Sequence, residues 1–253
     1  MSRPVVGIIG NSYLIDGEYP TYAAGKMNAD AVGCICGAIP LIIPTDPALV
    51  NTAELMEVCD GFLFTGGRPN VHPEEYGEAE TEAHGAFDRD RDAVSLPLIR
   101  ACVDAGQPII GICRGFQEVA VAMESTLHPE IRDLDGRDNH RMPPDGTLAE
   151  KFALRHKVRF VAGGPFEKIV GSQEVMTNSL HGQGIKVAGP RIVIDGYAPD
   201  GTPEAIYVKD AKGFTLSTQW HPEWNAAGDP VSRPIFEAFG AACAAFQKGR
   251  KSA

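Results

Sequence analysis

No apolar run in this 253-residue chain approaches the length needed to cross a bilayer, so no membrane-spanning helix is expected. The opening Met1-Ser-Arg-Pro, followed by Val5 to Gly10, lacks the long apolar stretch of a signal peptide, and the expected address is the cytoplasm. Basic residues are scarce: 23 Lys and Arg stand against 33 Asp and Glu, a formal charge of -10. That argues against a nucleic-acid partner, because a phosphate backbone needs a basic face to replace its counterions. There is no Gly-x-x-x-x-Gly-Lys-Ser/Thr loop, no internal repeat and no low-complexity tract. The six cysteines, without a secretory signal, read as thiols and not as a disulfide frame. Cys34 and Cys36 lie in an Ala/Gly-rich stretch with no second ligand pair nearby, and core packing is expected for them as for Cys59, Cys102 and Cys243. His72, His84, His128, His140 and His156 show no ligand spacing, so no metal and no cofactor are expected, and these rings read as solvent-facing or hydrogen-bonded structural residues.

What the chain does contain is the balance of a soluble globular protein, 43% hydrophobic and 22% charged, at a length that fits a single domain over residues 1–253. Val5 to Gly10, Ile39 to Ile43, Phe62 to Thr65 and Pro108 to Ile112 are short apolar runs, too continuous for half-exposed strands, and read as buried parallel strands. Helical stretches alternate with them, roughly Tyr22 to Gly37, Pro47 to Val58 with Thr45-Asp46 as its cap, and Asp88 to Ala105. This alternation predicts an α/β fold with a doubly wound, mostly parallel central sheet flanked by helices. After about Asp135 the pattern turns β-rich, through Lys157 to Val161, Arg191 to Tyr197, Glu204 to Val208 and Phe214 to Gln219. A last helix is predicted from about Pro230 to Gly249, and the polar, turn-rich Asp135 to Gly146 is predicted to be a loop near a site.

The strongest local signal is Pro108-Ile-Ile-Gly-Ile-Cys-Arg-Gly-Phe-Gln117, a buried strand that ends in Gly-x-Cys-x-Gly and passes into a helical pattern. It reads as a nucleophile elbow, a strand-to-helix turn so tight that Gly111 and Gly115 must be small. Cys113 would then project above the sheet at a helix N-terminus, where the helix dipole favours thiolate, with the Arg114 N–H placed to stabilise an oxyanion. Alone, the motif fits a buried structural thiol equally well.

A partner base comes from Thr215-Leu-Ser-Thr-Gln-Trp-His-Pro-Glu-Trp224. His221 and Glu223, two apart on an extended segment, face the same side, so His221 could approach Cys113 while Glu223 orients its ring. Taken in isolation, His-Pro-Glu also reads as a surface turn with a fortuitous acid.

Five segments in order carry a resemblance: Gly66-Gly-Arg-Pro-Asn-Val-His-Pro-Glu-Glu-Tyr76, Asp88-Arg-Asp-Arg-Asp92, Cys113-Arg-Gly-Phe-Gln-Glu118, Asn178-Ser-Leu-His-Gly-Gln183 and Gln219-Trp-His-Pro-Glu223. Over most of its length the chain resembles class I glutamine amidotransferases, with their flavodoxin-like fold. Within them it is similar to the γ-glutamyl-γ-aminobutyrate hydrolases of the peptidase C26 family. The resemblance implies a catalytic Cys113, His221 and Glu223, and oxyanion donors at Gly67 and Arg114. It implies γ-glutamyl contacts from Gln117, Asn178, Ser179, His181 and Gln183. The implied reaction hydrolyses a small γ-glutamyl amine, first γ-glutamyl-γ-aminobutyrate, to glutamate and GABA through a γ-glutamyl thioester, a step of putrescine breakdown. The alternatives are a glutaminase subunit that delivers ammonia to a separate synthase, and a non-catalytic relative. The implied partner is a small-molecule γ-glutamyl substrate, with a homodimer left open. Arg68, Arg114, Arg137, His140 and Arg141 are candidate cations for its carboxylates. Ala120, Glu124 and Ser125 depart from the family's usual Asn and Gly-Gly. A left-handed Ser125 at the helix end is expected to cost about 1 kcal/mol, or to bend the exit and reshape the pocket for the leaving amine.

Overall fold

A computed structural model describes residues 2–252. Its strands are β1 (Val5–Ile9), β2 (Asn11–Ile15), β3 (Tyr19–Ala23), β4 (Ile39–Ile43), β5 (Gly61–Phe64), β6 (Ile109–Ile112), β7 (Thr126–His128), β8 (His156–Phe160), β9 (Glu174–Thr177), β10 (Gly184–Val187), β11 (Ile192–Tyr197), β12 (Pro203–Val208) and β13 (Ser217–Thr218). The α-helices are α1 (Lys26–Asp30), α2 (Thr52–Val58), α3 (Arg89–Ala105), α4 (Arg114–Ala122), α5 (Leu148–Lys151), α6 (Pro165–Val170) and α7 (Ser232–Ser252).

The central sheet runs β4-β1-β5-β6-β13-β12-β11-β8-β9. Its first five strands are mutually parallel in the flavodoxin-like order, and each of the remaining four is antiparallel to its neighbour. Strands β1, β5 and β6 are apolar on both faces because helices cover both. Ile9, Phe62, Phe64 and Ile109 pack with Leu96 and Ile99 of α3 and Phe116 and Val119 of α4. Val6, Ile8, Leu63 and Ile110 pack on the other side with Ile235, Phe236 and Phe239 of α7. Each such side chain contributes about 1.5–3 kcal/mol relative to exposure, so the carboxyl edge of the sheet is a firm platform.

Several sequence expectations are corrected. The segment read as helical from Tyr22 begins instead as the β2–β3 hairpin. Asp16 and Gly17 turn it with positive φ (54° and 77°), a conformation Asp-Gly adopts readily. The helix follows only at Lys26, and it widens to π-helical geometry over Ala31–Ile35. The second helix starts at Thr52, not Pro47, because Asn51 Oδ1 caps it, accepting from Ala53 N (2.9 Å) and Glu54 N (3.4 Å). β4 is the sheet edge and not a buried strand, and Ile39, Leu41 and Ile42 are exposed. Within Phe214 to Gln219 only Ser217–Thr218 forms a strand. Cys59, Cys102 and Cys243 are buried, but Cys36 is only partly buried and Cys34 is exposed. Left-handed φ at the end of α4 belongs to Glu124 (70°), not Ser125, whose buried hydroxyl accepts from Gly189 N at 2.9 Å.

Among the described residues no helix is long and apolar enough to cross a membrane.

Candidate active site

Buried strand β6 delivers Cys113 to the carboxyl edge of the sheet, directly before α4. The backbone of Cys113 is strained, with φ 53° and ψ -102°, a region that non-glycine residues occupy where the surrounding structure forces them to. What forces it is the closeness of the turn. A Cβ at Gly111 would lie 2.5 Å from Gly115 O, and one at Gly115 would lie 2.0 Å from Phe64 O. Neither position has room for any side chain. Arg114, next in sequence, opens α4, whose first-turn N–H groups have no intrahelical acceptor.

β13 lies beside β6 in parallel, with Ser217 opposite Gly111 and Thr218 opposite Ile112. The Cys113 N–H donates to Thr218 O at 2.8 Å. Both chains therefore leave the sheet at the same edge, and this brings His221 to Cys113. Asn178 holds the His221 backbone from both sides: its Nδ2 donates to His221 O (2.9 Å) and its Oδ1 accepts from His221 N (2.8 Å). Phe152 meets the ring edge-on, with centroids 5.4 Å apart. His221 Nδ1 sits 2.7 Å from Glu223 Oε1, and the ring shares its cavity with the Cys113 side chain, close enough to feel its charge. Burial disfavours the imidazolium, but the Glu223 carboxylate and the Cys113 sulfur outweigh it and hold the pKa well above the ordinary histidine value.

A buried ionic cluster underlies the opposite wall. Arg91 donates from Nε and Nη2 to the two Glu118 oxygens, each at 2.9 Å, and reaches Thr65 O (2.5 Å) and Asn11 Oδ1 (2.6 Å). Arg114 pairs with Glu118 and with Asp92 Oδ1 (2.6 Å) and donates from Nε to Pro69 O (2.8 Å). Burial opposes ionisation of Glu118, yet Arg91 and Arg114 prevail and keep its carboxyl below the usual range. The cluster fixes the Thr65–Asn70 loop against α3 and α4. Gly67 in that loop is squeezed, since a Cβ there would stand 2.5 Å from Asn11 Oδ1.

Cys113, His221, Glu223, Gly67, Gln117, His181 and Gln183 all line one cavity of about 510 Å³. A cavity of about 600 Å³ on the antiparallel edge, lined by Lys157, Arg159 and Glu174, contains none of the candidates. Gln117 Nε2 donates to Gln183 O (2.9 Å) and Gln219 Oε1 (3.2 Å), and Gln183 Oε1 accepts from Val71 N (3.1 Å). Asn178 and Ser179, expected to face the γ-glutamyl group, are not among the lining residues. Asn178 is spent on the His221 backbone, and buried Ser179 bonds to His140. Of the candidate cations, Arg68 and Arg141 line the cavity, whereas the Arg114 side chain is consumed by the ionic cluster. Arg137 turns to Asp200 O (2.7 Å) and His140 to Asp200 Oδ2 (2.9 Å). The predicted loop does reach the site, through Arg141, Met142, Pro143 and Pro144. The sequence reading missed Asn11, Tyr13 and Lys151. Asn11 was findable, because it follows the first parallel strand at the sheet edge where α/β ligands bind.

The peptidase C26 family profile matches residues 4–223. The chain is 33% identical over 247 residues to the γ-glutamyl-γ-aminobutyrate hydrolase PuuD of Escherichia coli (strain K12), covering 96% of this chain and 94% of that protein. The chain belongs to the peptidase C26 family. It is also 29% identical over 241 residues to the glutamine amidotransferase-like protein YvdE of Lactococcus lactis, covering 93% of this chain and 97% of that one. A solved structure from Thermoplasma acidophilum, assigned as one of the subunits of GMP synthase, superposes with a TM-score of 0.63 over 99% of this chain and all of the other. At 17% identity that likeness speaks to fold alone.

In this C26 chain the departures at Ala120, Glu124 and Ser125 are not among the residues that line the cavity. Two of the histidines that show no ligand spacing in sequence, His140 and His156, do converge in space. Ligand atoms of His140, His156 and Glu204 lie within 4.8 Å of one another, directly behind His181. Burial pushes the Glu204 carboxyl up to about 7 and the His181 imidazole down to about 4.

Proposed function

We propose that this C26 chain hydrolyses the γ-glutamyl amide bond of small γ-glutamyl amines, with γ-glutamyl-γ-aminobutyrate the first candidate. The observation that carries the reading is the strained Cys113 at a helix N-terminus, sharing one cavity with an imidazole that Glu223 orients at 2.7 Å. Cys113 thiolate attacks the γ-carbonyl, and the oxyanion that forms is held by the N–H groups of Arg114 and Gly67. His221 donates its proton to the leaving nitrogen as the C–N bond breaks, leaving a γ-glutamyl thioester. Water then attacks the thioester, His221 takes its proton, and glutamate leaves as the thiolate is restored. Glu223 keeps Nε2 aimed at the reacting atoms and stabilises the imidazolium. Asn178 acts through His221 as a positioning residue. Arg68, Arg141 and Lys151 at the cavity wall are suited to the substrate's carboxylates.

A glutaminase subunit is the second reading, favoured by the amidotransferase-like name of the Lactococcus lactis relative. One experiment separates the two: glutamate release from γ-glutamyl-γ-aminobutyrate, other γ-glutamyl amines and glutamine, with wild type and Cys113→Ala. Preference for a γ-glutamyl amine, abolished by the substitution, is expected. Best turnover of glutamine would favour the glutaminase reading, and activity that survives in Cys113→Ala would remove the thiol mechanism.

A further inference from the structure

Behind the Asn178–Gln183 segment three imidazoles close on one carboxylate. Fully buried Glu204 directs Oε1 at His140 Nδ1 (3.5 Å), His156 Nε2 (3.4 Å) and His181 Nε2 (3.4 Å). The far nitrogen of each ring faces an atom that can only accept. His140 Nε2 is 2.9 Å from Asp200 Oδ2, His156 Nδ1 is 3.0 Å from Lys157 O, and His181 Nδ1 is 3.1 Å from Gln183 O. Those far nitrogens carry the ring protons, so in the neutral rings the nitrogens facing Glu204 present lone pairs. The Ser179 hydroxyl, 3.0 Å from His140 Nδ1, has the His140 carbonyl as an acceptor at 3.1 Å and makes no demand on that lone pair. Three lone pairs and a carboxylate thus meet, and among the described side chains only a proton held by Glu204 or by one of the rings could donate between them. His156 Nε2 and Glu204 Oε2 are buried and without a hydrogen-bond partner. Such an acceptor set is repulsive until a proton or a metal cation enters it, and a single proton can bridge only two of the four groups.

We propose that His140 Nδ1, His156 Nε2 and the Glu204 carboxylate bind one divalent transition-metal ion of the zinc class. Two imidazoles and a carboxylate are a zinc donor set, with ligand bonds of about 2.0–2.2 Å and hence tetrahedral edges of about 3.4 Å. The two nitrogen–Oε1 separations, 3.5 and 3.4 Å, already match those edges. The outer contacts fit as well, because metal-binding histidines commonly give their second N–H to a carboxylate or carbonyl, as His140 does to Asp200 and His156 to Lys157 O. The His156 side chain, 15% exposed, opens a route from solvent. The ion would join the loop carrying His140, the start of β8 and the start of β12. Its role is structural: it braces the cavity wall that the His140 loop forms through Arg141 to Pro144. Nothing in this proposal depends on the hydrolase reading.

The test uses chelator-treated full chain in a Cys113→Ser background, so that the cavity thiol cannot hold the ion, and equilibrium dialysis against Zn²⁺. One equivalent per chain is expected, with a Zn²⁺-dependent rise in Tm and a tetrahedral Co²⁺ visible spectrum after exchange. Adding His156→Ala or Glu204→Gln should abolish all three. Asp200→Asn should weaken binding about 10–100-fold through the ligand it orients. Circular dichroism without metal identifies any variant that fails to fold, and His156, being partly exposed, then decides alone. Absence of a bound equivalent in the Cys113→Ser parent, or an equivalent untouched by His156→Ala, would overturn the proposal.

Discussion

Gly66 lies so close to the His221 ring that a Cβ atom there would stand 2.6 Å from Cε1. The loop carrying Gly66 and Gly67 therefore forms one wall of the imidazole's slot. Gly66→Ala should push the ring away from Cys113 and lower kcat about 100-fold or more, because misplacement by about 1 Å is worth that much. Steady-state kinetics beside a thermal melt would check this, with Tm expected to change far less than rate.

His221 provides a pH test. Its folded pKa is raised, burial being outweighed by Glu223 and Cys113, above an unfolded value of about 6.5. Its contribution to stability is therefore complete below about pH 6.5 and is lost as pH rises through the folded pKa. Glu223→Gln should lower stability most at about pH 6, and the gap to wild type should close at alkaline pH. The same substitution should cut kcat by about two to four orders of magnitude. Urea denaturation across pH and NMR titration of the ring are the measurements, and an unmoved His221 titration in the variant would contradict the pairing.

Glu118 neutralises two buried arginines. Glu118→Ala leaves both charges without that partner and should destabilise the fold by about 3–5 kcal/mol, read as a shifted urea midpoint.

Cysteine reactivity distinguishes a catalytic thiol from inert ones. Burial pushes Cys36 up to about 12 and Cys59 up to about 11, and it also raises Cys102 and Cys243. In a Cys34→Ser background, which removes the exposed thiol, iodoacetamide should label Cys113 at least about tenfold faster than any other cysteine. Peptide mapping by mass spectrometry would show it.

Arg68 and Arg141 at the cavity wall should contribute to affinity for the distal carboxylate of γ-glutamyl-γ-aminobutyrate. Arg68→Ala or Arg141→Ala is expected to raise KM for that substrate about tenfold, at about 1.4 kcal/mol, while leaving glutamine, which lacks that carboxylate, nearly unaffected. Equal losses on both substrates would assign these arginines to general structure.

Much of the framework was legible because short-range steric and hydrophobic rules govern it. Continuous apolar runs marked β1, β5 and β6, and glycines two residues either side of Cys113 marked a turn with no space for a Cβ. The misreadings have equally local causes. Asp16-Gly17 was a hairpin signal passed over in favour of the alanine-rich pattern behind it. The runs at Ile39–Ile43 gave no sign of which strand would be the edge, since edge position is a property of sheet order and not of composition.

By itself the sequence determined the alternation of strand and helix, the elbow at Cys113 and the nearness of His221 to Glu223, two residues apart on a segment that turns after His221 and does not run extended as expected, because neighbours in the chain impose those arrangements on each other. Only the tertiary structure decided which distant groups meet. Parallel pairing of β13 with β6 carries His221 to Cys113, α3 and α4 seal Arg91, Arg114, Asp92 and Glu118 into one ionic cluster, and His140, His156 and Glu204 converge from three separate segments. Such meetings depend on the order and direction of strands, which long-range packing selects and no local spacing encodes.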